Sequence, residues 1–509
     1  MTVMHYESDI TAVEYRMCSK LNMTVQIVTE ATPFNRGMVG ISSFGISGTN
    51  AHMILEPGPT SSKTQAPHEL PVLIPFSGRK EDQVFASIEE ASANAQNPEF
   101  LSLLHTAFRT NIPGHPFRGI GLLKPGDTTP EITVANSDSA GPRPLWIAFP
   151  GMGSQWNEMG KDLMKIEPFS ESVKRSMTTL RNLGIDLDDL LKAKNEAIFN
   201  DIHYAVMAIT SMQIALWDTL KELNVTPEGF IGHSTGEFLC AYADGCLSAE
   251  ETLLVTDARG RAFKESRKVV GCMASIGMSA EEIKGRLPPG VELACNNAAQ
   301  NVTVSGELEA VTKFAKQLDA EGKLAVVVKS CGIAAHSQHV QDAADLLKKY
   351  VAGIIKGDRV RSSRWISTSV PQSDWETPLA KYASPEYFDH NLRSPVLFYE
   401  ALQHVPPKAL VVEISPNGFF QALLKDSVPT DCVHVAPMNV RAADKLLHLY
   451  QSVGNMYLSG VDVQMDRLYP PVSLPVSSTT PSISPLVKWK HDQPWKTHAL
   501  DYPVVSSQL

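Results

Sequence analysis

The chain has 509 residues, 43% hydrophobic and 20% charged, with a formal net charge of -10. At roughly 100–200 residues per domain, that length holds several domains and a large core. The acidic balance leaves no basic footprint for nucleic acid, and no run of about 18 apolar residues offers a membrane span, so neither is expected as a partner. Seven scattered cysteines without a C-x-x-C pair argue against a disulfide framework and a zinc site. The opening MTVMHYESDI has neither the basic nor the apolar region of a signal peptide, and the expected location is the cytoplasm.

In chain order, VGISSFGISGTNAHMILEP (39–57) reads as strand, tight turn, strand, and a polar, proline-containing spacer follows. PVLIPFSG (71–78) predicts a strand, and ASIEEASANAQ with LSLLHTAFRT predicts helix, together a small α/β unit. PLWIAFPG (144–151) opens a longer alternation of strands and helices, with a helical region to Leu223, the strand EGFIGH and a helix at or just after Ser234. Such alternation signals a parallel sheet covered on both faces. Another helix opens at Ser248, where SAEE offers a capping box with Glu251. Residues 272–330 then read βαββαβ, the order of a ferredoxin-like insert. ALVVEIS and CVHVAPM predict two further buried strands. From Tyr469 onward the density of prolines predicts an extended tail carrying Trp489 and Trp495.

Gly232-His-Ser-Thr-Gly236 matches a nucleophile elbow, where small flanking residues let a sharp strand-to-helix turn lift the Ser234 hydroxyl above the sheet. The amides that follow point at any oxyanion formed there. Among the fifteen histidines the favoured base is His336, because it follows the strand LAVVVKS and is expected at the carboxyl edge of the same layer; packing is the alternative role for such a histidine. His336 and His339 form an H-x-x-H pair, yet without further ligands no metal is expected. Val255, Arg259 and Phe263 share one side of the helix capped by Ser248, so the guanidinium borders apolar surface. It either pairs with Asp257 or Glu265 or clamps a substrate carboxylate.

Five segments now carry a family resemblance: GMGSQW (151–156), GHSTGE (232–237), Arg259 at 25 residues beyond the serine, AHS (335–337) and NLRSPVLF (391–398). In order and spacing they resemble the malonyl/acetyltransferase domain of animal fatty acid synthase and equally the acyltransferase domain of iterative type I polyketide synthases. The resemblance implies an α/β-hydrolase-like core with a parallel sheet and an inserted ferredoxin-like subdomain at about 270–333. It assigns residues 1–57 to the end of a ketosynthase, 58–142 to a linker domain, 143–465 to the acyltransferase and 466–509 to a post-acyltransferase linker. The ketosynthase piece lacks the segments bearing that family's catalytic cysteine and histidines, so no condensation by this chain alone is expected.

Carried over by residue, the resemblance makes Ser234 the acylated nucleophile and His336 its base and later acid, oriented by the backbone carbonyl of Asn391. It gives the oxyanion hole to the amides of Met152 and Thr235 and the carboxylate clamp to Arg259. It implies no bound cofactor: a CoA thioester is the donor, the phosphopantetheine thiol of acyl carrier protein the acceptor, and the other synthase domains are partners. The acyl pocket falls to Val206, Ala335 and Gln155. Ala335 and Val206 stand where the fatty acid synthase pattern has phenylalanines, and the space so opened beside the acyl α-carbon implies methylmalonyl as the preferred extender. Malonyl/acetyl transfer and an inactive scaffold fragment are the alternatives.

Overall fold

The structure is a computed structural model that describes residues 38–44, 48–56, 69–137, 143–266 and 271–488. The expectations placed on residues 1–37, on Trp489 and on Trp495 lie outside the described residues. The chain divides into two compact units, residues 1–64 with 473–479, and residues 65–472 with 480–509.

In the first unit, β1 (Val39–Phe44) and β2 (Asn50–Leu55) form the expected antiparallel hairpin, with Val39 opposite Leu55 and Phe44 opposite Asn50. The second unit opens with β3 (Val72–Gly78), α1 (Glu81–Ser92), α2 (Pro98–Phe108), β4 (Phe117–Leu123) and β5 (Glu131–Asn136). Its three strands make an antiparallel sheet in the order β3-β4-β5. Neither β4 nor β5 is among the elements the sequence predicts. Gly119 breaks the apolar pattern of β4 because α1 lies directly on it: a Cβ there would come within 2.4 Å of Val84 Cγ1.

The alternating region follows with β6 (Leu145–Phe149), α3 (Glu167–Arg181), α4 (Leu187–Leu191), α5 (Ile202–Glu222), β7 (Gly229–Gly232), α6 (Gly236–Ala243) and α7 (Ala249–Glu265). The insert comprises β8 (Gly271–Ile276), α8 (Ala280–Lys284), β9 (Val291–Ala298), β10 (Asn301–Glu307), α9 (Leu308–Ala320) and β11 (Ala325–Val328). The chain returns through α10 (Gln341–Ile354), β12 (Trp365–Ile366), α11 (Pro378–Lys381), α12 (Pro385–Arg393), α13 (Phe398–Leu402), β13 (Leu410–Glu413), α14 (Gln421–Lys425), β14 (Val433–Val435) and α15 (Lys445–Leu458).

Five parallel strands in the order β12-β7-β6-β13-β14 form the central sheet. β6, β7 and β13 are buried along their whole length, which is why they read as unbroken apolar runs. The insert is a four-stranded antiparallel sheet ordered β11-β8-β10-β9, as a βαββαβ unit with two crossover helices requires. One expectation is corrected here. LAVVVKS does not join the parallel layer; β11 is an edge of the insert, paired with β8, and the side chains of Val326, Val327 and Val328 are exposed.

The apolar core of the first sheet of this unit is continuous with that around the parallel sheet, and α15 belongs to both. The buried Arg118 guanidinium on β4 fastens them, donating to the carbonyls of Tyr457 (3.1 Å) and Val461 (2.9 Å) and to Asp462 (3.1 Å). The tail is less irregular than its prolines imply. Ser484–Leu486 forms a single 3-10 turn, and Ser87 Oγ on α1 donates to the Leu486 carbonyl at 3.0 Å.

Candidate active site

Ser234 stands in the turn between β7 and α6 with φ of 55°, a left-handed conformation that costs a non-glycine residue about 1–3 kcal/mol and persists only where its surroundings impose it. The flanking glycines show what imposes it. A Cβ on Gly232 would lie 2.5 Å from the Glu237 amide nitrogen, and one on Gly236 would lie 1.9 Å from the Phe149 carbonyl oxygen at the end of β6. Only glycines let strand and helix approach this closely.

The Ser234 hydroxyl is 2.7 Å from His336 Nε2. His336 itself has φ of 61° and is buried, its amide donating to the Leu392 carbonyl at 3.0 Å. The ring Nδ1 bonds the Ser394 carbonyl at 3.1 Å, which fixes Nδ1 as the protonated nitrogen and leaves Nε2 to accept from the serine. The expected orienting carbonyl is that of Asn391; the Asn391 backbone does act on the ring, together with that of Ser394, just past the C-terminal turn of α12, where helical carbonyls lack intrahelical partners. Burial, the Arg259 cation and His233 pull the His336 pKa down to about 3, against the opposing pull of the Ser394 and Asn391 carbonyls. The imidazole is therefore neutral at pH 7. Its ring partners are a hydroxyl and a carbonyl, with no carboxylate among them.

Arg259 on α7 is 2% exposed and faces the same hydroxyl, its Nη2 3.4 Å from Ser234 Oγ. Nη1 donates to Asn391 Oδ1 at 2.8 Å, the rings of Phe238 and Phe263 lie 5.6 and 5.8 Å from Cζ, and Nε is buried without a partner. The two acids expected as its partners are engaged elsewhere: Asp257 with His203 (2.9 Å) and Arg261 (2.8 Å), Glu265 with Tyr350. Burial draws the guanidinium down to about 9, which still leaves it charged at pH 7. Among the described residues no carboxylate bonds this buried cation, an arrangement that is costly unless an anion arrives.

The Gly151–Trp156 loop lies against the elbow: a Cβ on Gly151 would sit 2.9 Å from the His233 carbonyl oxygen and 3.1 Å from Ser234 Cβ. Met152 follows that contact directly, and Thr235 is buried at the N-terminus of α6. Gln213 braces the loop by donating to the Pro150 (2.8 Å) and Ile414 (3.0 Å) carbonyls, and Trp156 Nε1 donates to Pro416 at 2.7 Å. Ala335 and Gln155 are half-buried, and Gln155 Oε1 accepts from the Gly153 amide at 3.0 Å. Val206, by contrast, is enclosed in the main core on α5.

Sequence reasoning missed three supports. His233 reaches Asn297 of the insert at 2.9 Å, tying the elbow to β9. Glu237 lies fully buried under the elbow, accepting from the Thr368 amide and hydroxyl at 3.0 Å and from Tyr387, and burial pushes its pKa up. Gln213 is the third. Each is visible as a polar residue inside an apolar stretch, CNNAA, GEFLC and SMQIALW, where burial demands a partner. Among the described residues no cluster of His, Cys, Asp or Glu could hold a metal ion, and no helix is long and apolar enough to cross a membrane.

The acyl transferase domain family matches residues 146–463, and the ketoacyl-synthetase C-terminal extension matches residues 17–122, across both segments assigned ahead of residue 143. Relatives include the highly reducing polyketide synthase sphB of Aspergillus fumigatus, 29% identical over 85% of this chain and 18% of that protein. Another is easB of Emericella nidulans, 30% identical over 75% of this chain and 17% of that protein. The chain spans under a fifth of the length of these two relatives. Its fold is similar to the acyl transferase domain of SpnD solved with 2-(pent-4-yn-1-yl)malonyl, at a TM-score of 0.63 and 21% identity over 80% of this chain and 99% of that one. It is also similar to the malonyl CoA-acyl carrier protein transacylase of Clostridium perfringens, at a TM-score of 0.52 and 22% identity over 62% and 97%. With more than half of its residues matched, the chain belongs to the acyl transferase domain family, here joined to a ketoacyl-synthetase C-terminal extension, and its relatives are polyketide synthases.

Proposed function

We propose that this chain moves a carboxylated, malonyl-type extender unit from CoA to the phosphopantetheine thiol of an acyl carrier protein, within a larger polyketide synthase. The observation that carries the reading is the buried Arg259 cation beside Ser234, bonded to a neutral carboxamide and, among the described residues, to no carboxylate. A free acyl carboxylate supplies the missing anion and fixes the thioester carbonyl near the hydroxyl.

In the first half-reaction His336 Nε2 takes the Ser234 proton as Oγ bonds the thioester carbon. The amides of Met152 and Thr235 receive the oxyanion. The C–S bond then breaks and His336 returns the proton to the leaving thiolate. The second half runs the same steps in reverse, with the carrier thiol as nucleophile. CoA and phosphopantetheine act as substrates, and the chain's own residues supply all the acid-base chemistry.

A finer reading concerns the branch at the α-carbon. Ala335 immediately precedes His336, is half-buried and carries only a methyl, which supports a pocket that accepts the substituent of methylmalonyl. Val206 adds little to this, being enclosed in the core.

The test is acyl-enzyme labelling with radiolabelled malonyl-, methylmalonyl- and acetyl-CoA. Malonyl-type esters are expected to label wild type and not Ser234→Ala. Arg259→Ala should lower carboxylated transfer by on the order of 100-fold while acetyl transfer falls far less. Equal losses would make the arginine structural, and absence of label on folded wild type would leave a scaffold. Equal labelling by malonyl and methylmalonyl would end the finer reading alone.

A further inference from the structure

Asn391 lies in the last turn of α12, 2% exposed, and its carboxamide makes three hydrogen bonds that meet at the site. Oδ1 accepts from Arg259 Nη1 at 2.8 Å. Nδ2 donates to the Ser234 carbonyl at 3.1 Å and lies 3.0 Å from Ser369 Oγ. The orientation of the amide is chemically forced. A guanidinium only donates, so oxygen must face it; a carbonyl only accepts, so nitrogen must face Ser234. No other neutral side chain of this shape offers an acceptor to the clamp and a donor to the elbow at once.

We propose that the Asn391 carboxamide is the positioning residue of the clamp and thereby sets selectivity for carboxylated acyl groups. This rests on the reading of Arg259 as that clamp. A guanidinium buried against Phe238 and Phe263 needs an acceptor to hold its plane, and a carboxylate would hold it best. A protein carboxylate would also cancel the charge that the substrate must find. The carboxamide fixes one edge of the fork and leaves the positive charge uncompensated, with Nε still unpartnered. Selectivity then arises from a neutral partner at a place where a charged one is sterically equivalent.

Asn391→Asp tests this directly. The new carboxylate is expected to pair with Arg259 in place of the substrate. Malonyl transfer should fall by on the order of 100-fold in kcat/KM, chiefly through KM, with acetyl transfer falling by under about tenfold. The acid limb of acetyl transfer should also move to higher pH, because the paired cation no longer depresses His336. Asn391→Ser, which keeps a hydroxyl in the gap without new charge, should lower malonyl transfer by on the order of tenfold more than acetyl. In variants that melt as wild type does, equal loss of both acyl groups and an unmoved acid limb would overturn the proposal. Should Asn391→Asp fold poorly, the malonyl-to-acetyl ratio of Asn391→Ser decides. Arg259→Ala separates the two levels: if it too lowers both acyl groups equally, the clamp reading falls; if it is selective and the Asn391 variants are not, only the role of Asn391 falls.

Discussion

Ser234 and His336 meet across 2.7 Å, yet they are held by different physics. Ser234 sits between a fully buried strand and a buried helix, and backbone atoms lie so close to Gly232 and Gly236 that no side chain fits. His336 stands on a loop that leaves β11, an exposed edge strand of the insert, and is held by hydrogen bonds from its amide and ring to the end of α12. Both residues take a left-handed backbone conformation, φ of 55° and 61°. One is imposed by steric contact at the flanking glycines, with Gly236 set against the Phe149 carbonyl of β6; the other depends on hydrogen bonds to α12. Ser234 is thus marked by the glycines beside it in the sequence, whereas His336 is placed by hydrogen bonds to a later helix.

The largest effect is expected where sterics rule. Gly236→Ala would drive a methyl to within 1.9 Å of the Phe149 carbonyl oxygen, so β6 or α6 must shift. We expect Ser234 labelling to fall by on the order of 1,000-fold or more and Tm to drop by on the order of 10 °C. On the histidine side, Gly332 has φ of 75°, and a Cβ added there would meet no atom of the described residues within 4 Å. Gly332→Ala meets only backbone strain of about 1–2 kcal/mol, a few degrees of Tm, and should keep the dyad. Acylation by Gly236→Ala at the wild-type rate, or loss of acylation in Gly332→Ala alone, would reverse the contrast.

The pH dependence probes the histidine half next. In its proposed role as base His336 works when neutral, and its pKa in the folded protein lies near 3, against an ordinary histidine value near 6.5. The free enzyme should therefore keep its kcat/KM as pH falls below 6.5, where an unperturbed histidine would lose activity. The stability sign follows from the same depression: between the two values the unfolded chain binds the proton and the folded chain does not, so stability declines as pH falls from about 6.5 toward 3. Arg259→Ala removes one of the depressing charges, so the acid limb of residual acetyl transfer should move upward. A limb near 6.5 in wild type, unmoved by Arg259→Ala, would show that neither burial nor the cation governs the base.

The same contrast explains what is legible in the sequence. Continuous apolar runs announce β6, β7 and β13, and the glycines announce the elbow, because buried parallel strands and steric turns leave their mark on adjacent residues. The capping box at Ser248 forms as read, with Glu251 N 3.1 Å from Ser248 Oγ and Ser248 N 2.8 Å from Glu251 Oε2. β12 escapes because two residues among polar neighbours carry no periodicity, and β4 because glycines interrupt it. LAVVVKS reads into the wrong sheet because an apolar tetrad does not say which strand it will pair with. The Ser394 carbonyl is illegible for a simpler reason: a backbone acceptor has no side chain to read. The role of Asn391 toward Arg259 likewise spans 132 residues and emerges only once α7 and α12 are folded together.

The smallest effect concerns the α-branch, and it sharpens the contrast by asking whether the loop side also shapes the substrate. Ala335 immediately precedes His336 and is half-buried, which makes it the place to test the proposed acyl pocket. Ala335→Phe should fill the space beside the α-carbon and lower the methylmalonyl-to-malonyl ratio of kcat/KM by on the order of 10–100-fold, the discrimination that one methyl commands in an apolar pocket. At Val206, on α5, the same exchange meets a closed core, and about 1–3 kcal/mol of overpacking should register as lost stability with the ratio little changed. If Val206→Phe shifted the ratio and Ala335→Phe did not, the acyl branch would have to lie toward α5. Substrate choice would then rest on the buried core, away from the loop that carries His336.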